Sequence, residues 1–342
     1  MAAAARKPET SGRPGRCQVC CAALPARRMT KPKGPVMTDM PKTDTPKNQY
    51  QMRDPRSLYP KPPFDTPMQP EPGLTSEMTP QPDHGETSYK GLGRMQGRRA
   101  LITGGDSGIG RAVAIAFARE GAHVVINYLP AEQSDADSLL QDLRAEGLKI
   151  DAIPGDLMDE AFCSGLVDDA AGLMGGIDVL VNNAGKQVTQ ASIRDLTTEQ
   201  FDATYKTNVY AMFWLSKAAL PRMKPGASII NVTSIQGYDP SPNLLDYAST
   251  KFAILGFTKA LAGQVAKDGI RVNAVAPGPF WTPLQPSQGQ PAEKLAKFGE
   301  QTPLGRPGQP AEIAPSFVFL ATQESGYMTG ETIGVTGGNP IH

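Results

Sequence analysis

From about Gly97 onward, short apolar runs alternate with amphipathic stretches. The runs at residues 99–103, 123–127, 149–153, 178–182, 228–232, 271–275 and 332–335 are rich in Val, Ile, Leu and Ala. They have the pattern of strands covered on both faces in a parallel sheet. Between them, residues 111–120, 199–223 and 244–266 carry helical spacing. Strand–helix alternation of this kind predicts an α/β domain over residues 97–342: one Rossmann-type, doubly wound parallel sheet of about seven strands, with helices on both faces. No internal repeat is visible.

Before Gly97 the pattern fails. Pro55, Pro60, Pro62, Pro63, Pro67, Pro70, Pro72, Pro80 and Pro82 crowd this stretch, and proline donates to neither helix nor sheet. Yet Tyr50, Met52, Leu58, Tyr59, Phe64, Leu74, Met78 and Tyr89 are more apolar residues than a free linker carries. The expectation is a disordered tail over 1–45 and an extended Pro-rich arm over 46–96. The arm would lie on a folded surface, its own or a neighbour's, with a neighbouring subunit as the working hypothesis. Met37 is a second candidate start.

Composition adds exclusions. In 342 residues, Lys plus Arg and Asp plus Glu are equal at 34 each, which gives no reason to expect nucleic acid or an anionic membrane as partner. No apolar run approaches the roughly 20 residues that span a bilayer. Residues 1–28 lack a secretory core, so a cytoplasmic location is expected, with an Arg-rich organelle-targeting peptide as the alternative. Cys17, Cys20 and Cys21 cluster while Cys163 stands alone, and His84, His123 and His342 are scattered. A tetrahedral zinc site needs four ligands, so no metal is expected.

The first strand runs into Thr103-Gly104-Gly105-Asp106-Ser107-Gly108-Ile109-Gly110, and a helix follows. Glycines let the backbone approach a pyrophosphate, and the helix N-terminus offers it free N–H groups. Tyr247 and Lys251 are four apart, hence on one helix face. A nearby ammonium favours a phenolate and brings the tyrosine closer to neutral proton exchange. Ser234 ends the fifth strand, at the sheet edge where open α/β folds bind ligands. Asn208 lies inside the predicted helix 199–223, where Asn is a mediocre fit.

Together these motifs resemble the short-chain dehydrogenase/reductase family from Gly97 to Gly338. The matching residues are the glycine loop, Asn182-Asn183-Ala184-Gly185, Ser234 thirteen positions before Tyr247-Ala248-Ser249-Thr250-Lys251, and Pro277-Gly278 with Thr282. The arm from Gln49 to Pro60, with Asp83 to Thr87, resembles a bacterial branch described as aldehyde reductases, general stress proteins or glucose/ribitol-dehydrogenase-like oxidoreductases.

The resemblance implies hydride transfer between a nicotinamide cofactor and a small carbonyl or alcohol. Tyr247 would be the general acid/base, helped by Lys251, Ser234 and a water relay at Asn208. Cofactor contacts would come from Gly104, Ser107, Gly108, Ile109 and Gly110, and from Asn127 and Tyr128 at the end of the second strand. Asp156 (at the adenine), Leu157, Asn183, Ala184, Gly185, Pro277, Gly278, Phe280 and Thr282 would complete the set with Tyr247 and Lys251. The second strand ends without the acid that commonly bonds a ribose 2′-OH, while Asp106 adds a negative charge nearby. The reading favours NADP(H), with NAD(H) also usable. A homo-oligomer, tetrameric through helices 199–223 and 244–266, is implied. Residues 280–298, with Trp281, Pro283 and Pro286, read as an apolar lid over a moderately hydrophobic carbonyl or alcohol, with a polyol as the alternative. One alternative is a non-catalytic nucleotide sensor or scaffold, but Tyr247 and Lys251 are both kept. Another is an epimerase or dehydratase, but little chain follows Thr282 to build a substrate domain.

Overall fold

Side-chain alternation sorts the strand residues into two apolar layers. Ile102, Val124, Ile126, Val181 and Ile230 face one way, and Leu101, Val125, Leu180 and Ile229 the other, the two-residue period of a sheet buried on both faces. The computed structural model describes residues 48–341. The tail, Met37 and the Cys17–Cys21 cluster lie outside them.

The strands are β1 (Arg99–Thr103), β2 (His123–Tyr128), β3 (Ile150–Pro154), β4 (Val179–Asn182), β5 (Ser228–Val232), β6 (Arg271–Pro277) and β7 (Thr332–Val335). All pair in parallel, in the order β3-β2-β1-β4-β5-β6-β7. The helices are α1 (Gly108–Arg119), α2 (Gln133–Ala145), α3 (Glu160–Met174), α4 (Thr198–Tyr205), α5 (Ala211–Ala219), α6 (Leu245–Val265), the single turn α7 (Ala292–Leu295) and α8 (Pro310–Ala321). α1, α2 and α8 cover one face of the sheet; α3, α5 and α6 cover the other. Strand order reverses between β1 and β4, which puts a crevice at their carboxyl ends. No described helix is long and apolar enough to cross a membrane.

The long helix expected over 199–223 is broken. A π turn, Lys206–Tyr210, separates α4 from α5 and holds Asn208. Such wide turns concentrate at functional sites, and this one gives an uncomfortable helix residue a distinct position.

The arm packs along its own chain. α1 is apolar nearly all round, so both of its sides need cover. The sheet and α8 supply one side; the arm supplies part of the other. Arg119 donates to the carbonyls of Gly85, Glu86 and Tyr89 at 2.6–2.9 Å. Glu120, fully buried, accepts from Tyr89 Oη, Leu92 N and Arg94. Burial alone would raise this carboxyl, but the Arg94 hydrogen bonds win and hold it near 2. Farther along, Phe64 and Met78 join Trp281, Leu295 and Phe298 in a separate apolar cluster.

Candidate active site

Gly104 (φ +57°) and Gly108 (φ +50°) adopt the left-handed backbone that turns β1 into α1. A Cβ on Gly110 would lie 1.8 Å from the Gly104 carbonyl oxygen, so only glycine lets the helix start this close to the strand. Thr103 Oγ1 accepts from Asn183 N and Ala184 N, and Asn183 Nδ2 donates to the carbonyls of Thr103 and Gly104 at 2.9 Å each. The Asn183 side chain thus braces the glycine loop.

A cleft of about 620 Å³ opens at the carboxyl ends of the strands. Every site residue expected from the sequence lines it except Gly110 and Asn208. Gly110 is consumed by the strand–helix contact. Asn208 sits behind the wall: its Oδ1 accepts from Lys186 N (2.7 Å), and its Nδ2 donates to Lys186 O and Thr250 Oγ1 (3.0 Å each). The Asn208 side chain therefore fixes the loop after β4.

Ser234, Tyr247 and Lys251 converge on the cleft. Asp246 orients the start of α6, accepting from Tyr247 N and from Thr204 Oγ1 on α4, both at 2.8 Å. Lys251 Nζ donates to Val232 O at 2.9 Å and lies 5.1 Å from the Tyr247 ring centre. Burial pushes the Tyr247 phenol up to about 12, opposed by a hydrogen bond with Ser234, and pushes the Lys251 ammonium down to about 7. The ammonium was expected to lower the phenol; burial sets the direction of both shifts instead.

At the end of β2, Asn127 and Tyr128 line the cleft, and their side chains also bond within the protein. Asn127 Nδ2 donates to the carbonyls of Ile153 and Gly155 (3.2 and 3.1 Å), and Tyr128 Oη donates to Gln133 Oε1 (2.7 Å). The groups that bring charge to this end are Asp106 and Glu132. Asp106 is 1% exposed and neither carboxylate oxygen has a partner. Burial and then the neighbouring Glu132 charge raise its pKa well above normal. Burial also lifts Glu132 to about 7. Glu132 went unnoticed in the sequence because it lies beyond the strand, at the start of α2.

The lid divides. Phe280, Pro283, Leu284 and Phe298 line the cleft, while the Trp281 ring turns to the arm, 4.4 Å from Phe64 and 6.3 Å from Phe298, centre to centre, with its Nε1 donating to Pro80 O. Gln187, Ser241, Asn243, Gln285 and Gln290 add polar groups to the same cleft. Sequence reasoning also missed Glu71 and Pro72 of the arm, which form part of the cleft wall. Glu71 pairs with Lys186. Only the acid's place within a Pro-rich run could have hinted at it.

This fold and this cleft are those of a nucleotide-binding α/β oxidoreductase, and the chain belongs to the short-chain dehydrogenase/reductase family. A family model described as enoyl-(acyl carrier protein) reductase matches residues 104–339. Among relatives, an uncharacterized oxidoreductase of Bacillus subtilis, YhxD, is 56% identical over 280 residues, covering 81% of this chain and 94% of the relative. NADPH-dependent aldehyde reductase 1, chloroplastic, of Arabidopsis thaliana is 43% identical over 278 residues, covering 80% and 96%. A short-chain dehydrogenase from Burkholderia cenocepacia, solved in complex with NADP, superposes with a TM-score of 0.67 at 33% identity, covering 72% of this chain and 98% of its own.

Proposed function

We propose that this protein interconverts a small carbonyl compound and its alcohol with a nicotinamide cofactor. The observation that carries the reading is the convergence of Ser234, Tyr247 and Lys251 on a cleft continuous with the glycine loop. The donor set fits a dinucleotide: free N–H groups at the start of α1 suit a pyrophosphate, and Asp156 stands at the far end of the same cleft. When bound, reduced nicotinamide supplies the hydride. Tyr247 then gives its phenolic proton to the substrate oxygen, and Ser234 holds that oxygen by a hydrogen bond. Lys251, when charged, favours the phenolate left behind. Asn208 keeps Lys186 and Thr250 in place around this group.

NADP(H) is the favoured cofactor and NAD(H) is usable. The name of the Arabidopsis relative and the NADP-bound Burkholderia structure support the first. A 2′-phosphate is tolerated beside Asp106 and Glu132 as long as both are protonated, the state that burial favours. The amides of Gln187, Asn243, Gln285 and Gln290 can both donate to and accept from hydroxyls and favour a hydroxylated aldehyde or ketone, with Leu244, Leu284 and Phe298 beside them for its apolar part. Assembly as a homotetramer is supported by Phe201, Tyr210, Phe213 and Phe252, which are exposed on α4, the π turn, α5 and α6.

The test is a steady-state assay of hydroxylated and plain aldehydes with NADPH and NADH, alongside Tyr247→Phe. Turnover of no carbonyl with either cofactor would refute the reading. Equal rates for hydroxylated and plain substrates would refute the polar assignment. Light scattering gives the oligomer mass.

A further inference from the structure

Residues 69–75 of the arm leave the apolar cluster and cross the mouth of the cleft. At one end Gln69 N donates to Pro286 O in the lid after β6, at 3.1 Å. At the other, Thr75 N donates to Asp135 Oδ2 on α2, at 2.9 Å. The lid flanks the Tyr247 half of the cleft; α2 flanks the half holding Asp106 and Glu132. The segment between is closed into a loop by Leu74 N donating to Gln69 Oε1 at 2.6 Å. Gly73, at φ +82°, seats it on the lid: a Cβ there would meet Ser287 Cβ at 2.9 Å and Pro283 O at 3.0 Å. Glu71 reaches over to pair with Lys186, whose backbone Asn208 clamps on both sides.

We propose that residues 69–75 are a strap over the cofactor cleft, latched by Glu71 on Lys186, and that unlatching gates both entry and exit of the cofactor. This rests on the reading of the cleft as a dinucleotide site. A dinucleotide held between Asp156 and Tyr247 would occupy the cleft that Glu71 and Pro72 help to wall, so the shut latch would stand in its way out.

The strap's flanks are anchored by buried aromatic groups, the strap itself by fewer bonds. On its flanks, Phe64 N donates to Ala296 O, Trp281 Nε1 donates to Pro80 O, and the Phe64–Trp281–Phe298 cluster is buried. The strap itself is held to the domain by two backbone N–H donors and one ion pair whose side chains are 22% and 37% exposed. Ion pairs open to water contribute little stability. The latch can therefore open without disturbing the aromatic anchors, the arrangement of a gate with fixed posts.

The kinetics of a gate differ from those of a contact. A gate alters association and release together and leaves affinity nearly constant. A lost contact alters release alone. The experiment is stopped-flow binding of NADPH to the full chain, followed by displacement with excess NADP, for wild type, Glu71→Gln and Gly73→Val. The second variant unseats the strap from the lid by an independent route, so one variant suffices if the other misfolds. The expected result is that both rate constants rise about five-fold or more in each variant, with Kd changed less than about two-fold. Release that rises alone would show Glu71 to be an ordinary contact and overturn the gate. Rates like wild type in a folded variant would overturn the strap altogether. If the wild-type protein binds neither NADPH nor NADH, the cofactor reading itself fails.

Discussion

Lys251 Nζ lies 5.1 Å from the centre of the Tyr247 ring while donating to the carbonyl of Val232. The ammonium is thus tied to the end of β5, on the same strand that leads to Ser234, and the three groups keep their spacing without help from a flexible loop. Tyr247→Phe removes only the phenol oxygen from this arrangement. It is expected to lower kcat by about 10²–10⁴-fold, the usual worth of a placed acid/base group. Cofactor Kd should stay within a factor of a few. Steady-state rates measured beside fluorescence titration of NADPH decide it; near wild-type turnover would remove Tyr247 from the chemistry.

The Lys251 ammonium has a consequence for stability. Its pKa falls from 10.5 to about 7 on folding, through burial. Between those values the unfolded chain holds the extra proton, so stability rises with pH across that window. Below about pH 7 the folded protein carries the full penalty of a buried charge. Lys251→Met is therefore expected to raise Tm at pH 6, by roughly 5 °C or more, with the gain shrinking towards pH 10. A gain independent of pH would show that the ammonium is well solvated in the folded state.

Glu132 and Asp106 are expected to make cofactor choice pH-dependent. With Glu132 at about 7, its charge appears as pH rises through neutrality, next to the region where a 2′-phosphate would lie. The ratio of kcat/KM for NADPH to that for NADH should fall between pH 6 and 8, by roughly three- to ten-fold, as expected for one added unit of nearby charge. Glu132→Gln should flatten the curve. A ratio that stays level in the wild-type protein would place these carboxyls away from the ribose.

Asn127 also braces the sheet. Its amide satisfies the carbonyls of Ile153 and Gly155 from a site only 2% exposed. Asn127→Asp would leave both acceptors unpaired and bury a charge, at a cost of about 2–4 kcal/mol. Thermal unfolding should show a Tm lower by about 5–10 °C. A stable variant that merely turns towards NADH would restore the simpler picture of β2 as the cofactor selector.

The sheet was legible because each strand is a buried apolar run, and its ends lie within two residues of where the pattern places them. The convergence of Ser234, Tyr247 and Lys251 was legible because their spacing falls on elements of known direction. Asn208 was located, but not its π turn: the extra residue leaves no trace in the 3.6-residue period. The side-chain business of Asn127 was hidden because its acceptors sit on β3, a neighbour that sequence spacing does not specify. The lid was legible in part. Phe280, Pro283, Leu284 and Phe298 line the cleft, but Trp281 turns instead onto Phe64 and Met78, more than two hundred residues earlier. The arm's apolar residues called for a surface to lie on, without naming it.

The arm also bears on the order in which the chain folds. Its contacts are among the longest in the sequence: Pro80 O receives Trp281 Nε1 across 201 residues, and Pro55 O receives Arg306 Nε across 251. During synthesis the arm leaves the ribosome about two hundred residues ahead of the lid it seats on. Contacts of such separation form late, because a long loop must close before they are rewarded. Until then Phe64 and Met78 lack the partners they bury against, a sticky interval of the kind that recruits chaperones. Refolding from denaturant should accordingly show sheet formation ahead of the Trp281 fluorescence change. Slow synthesis would prolong the hazard in proportion.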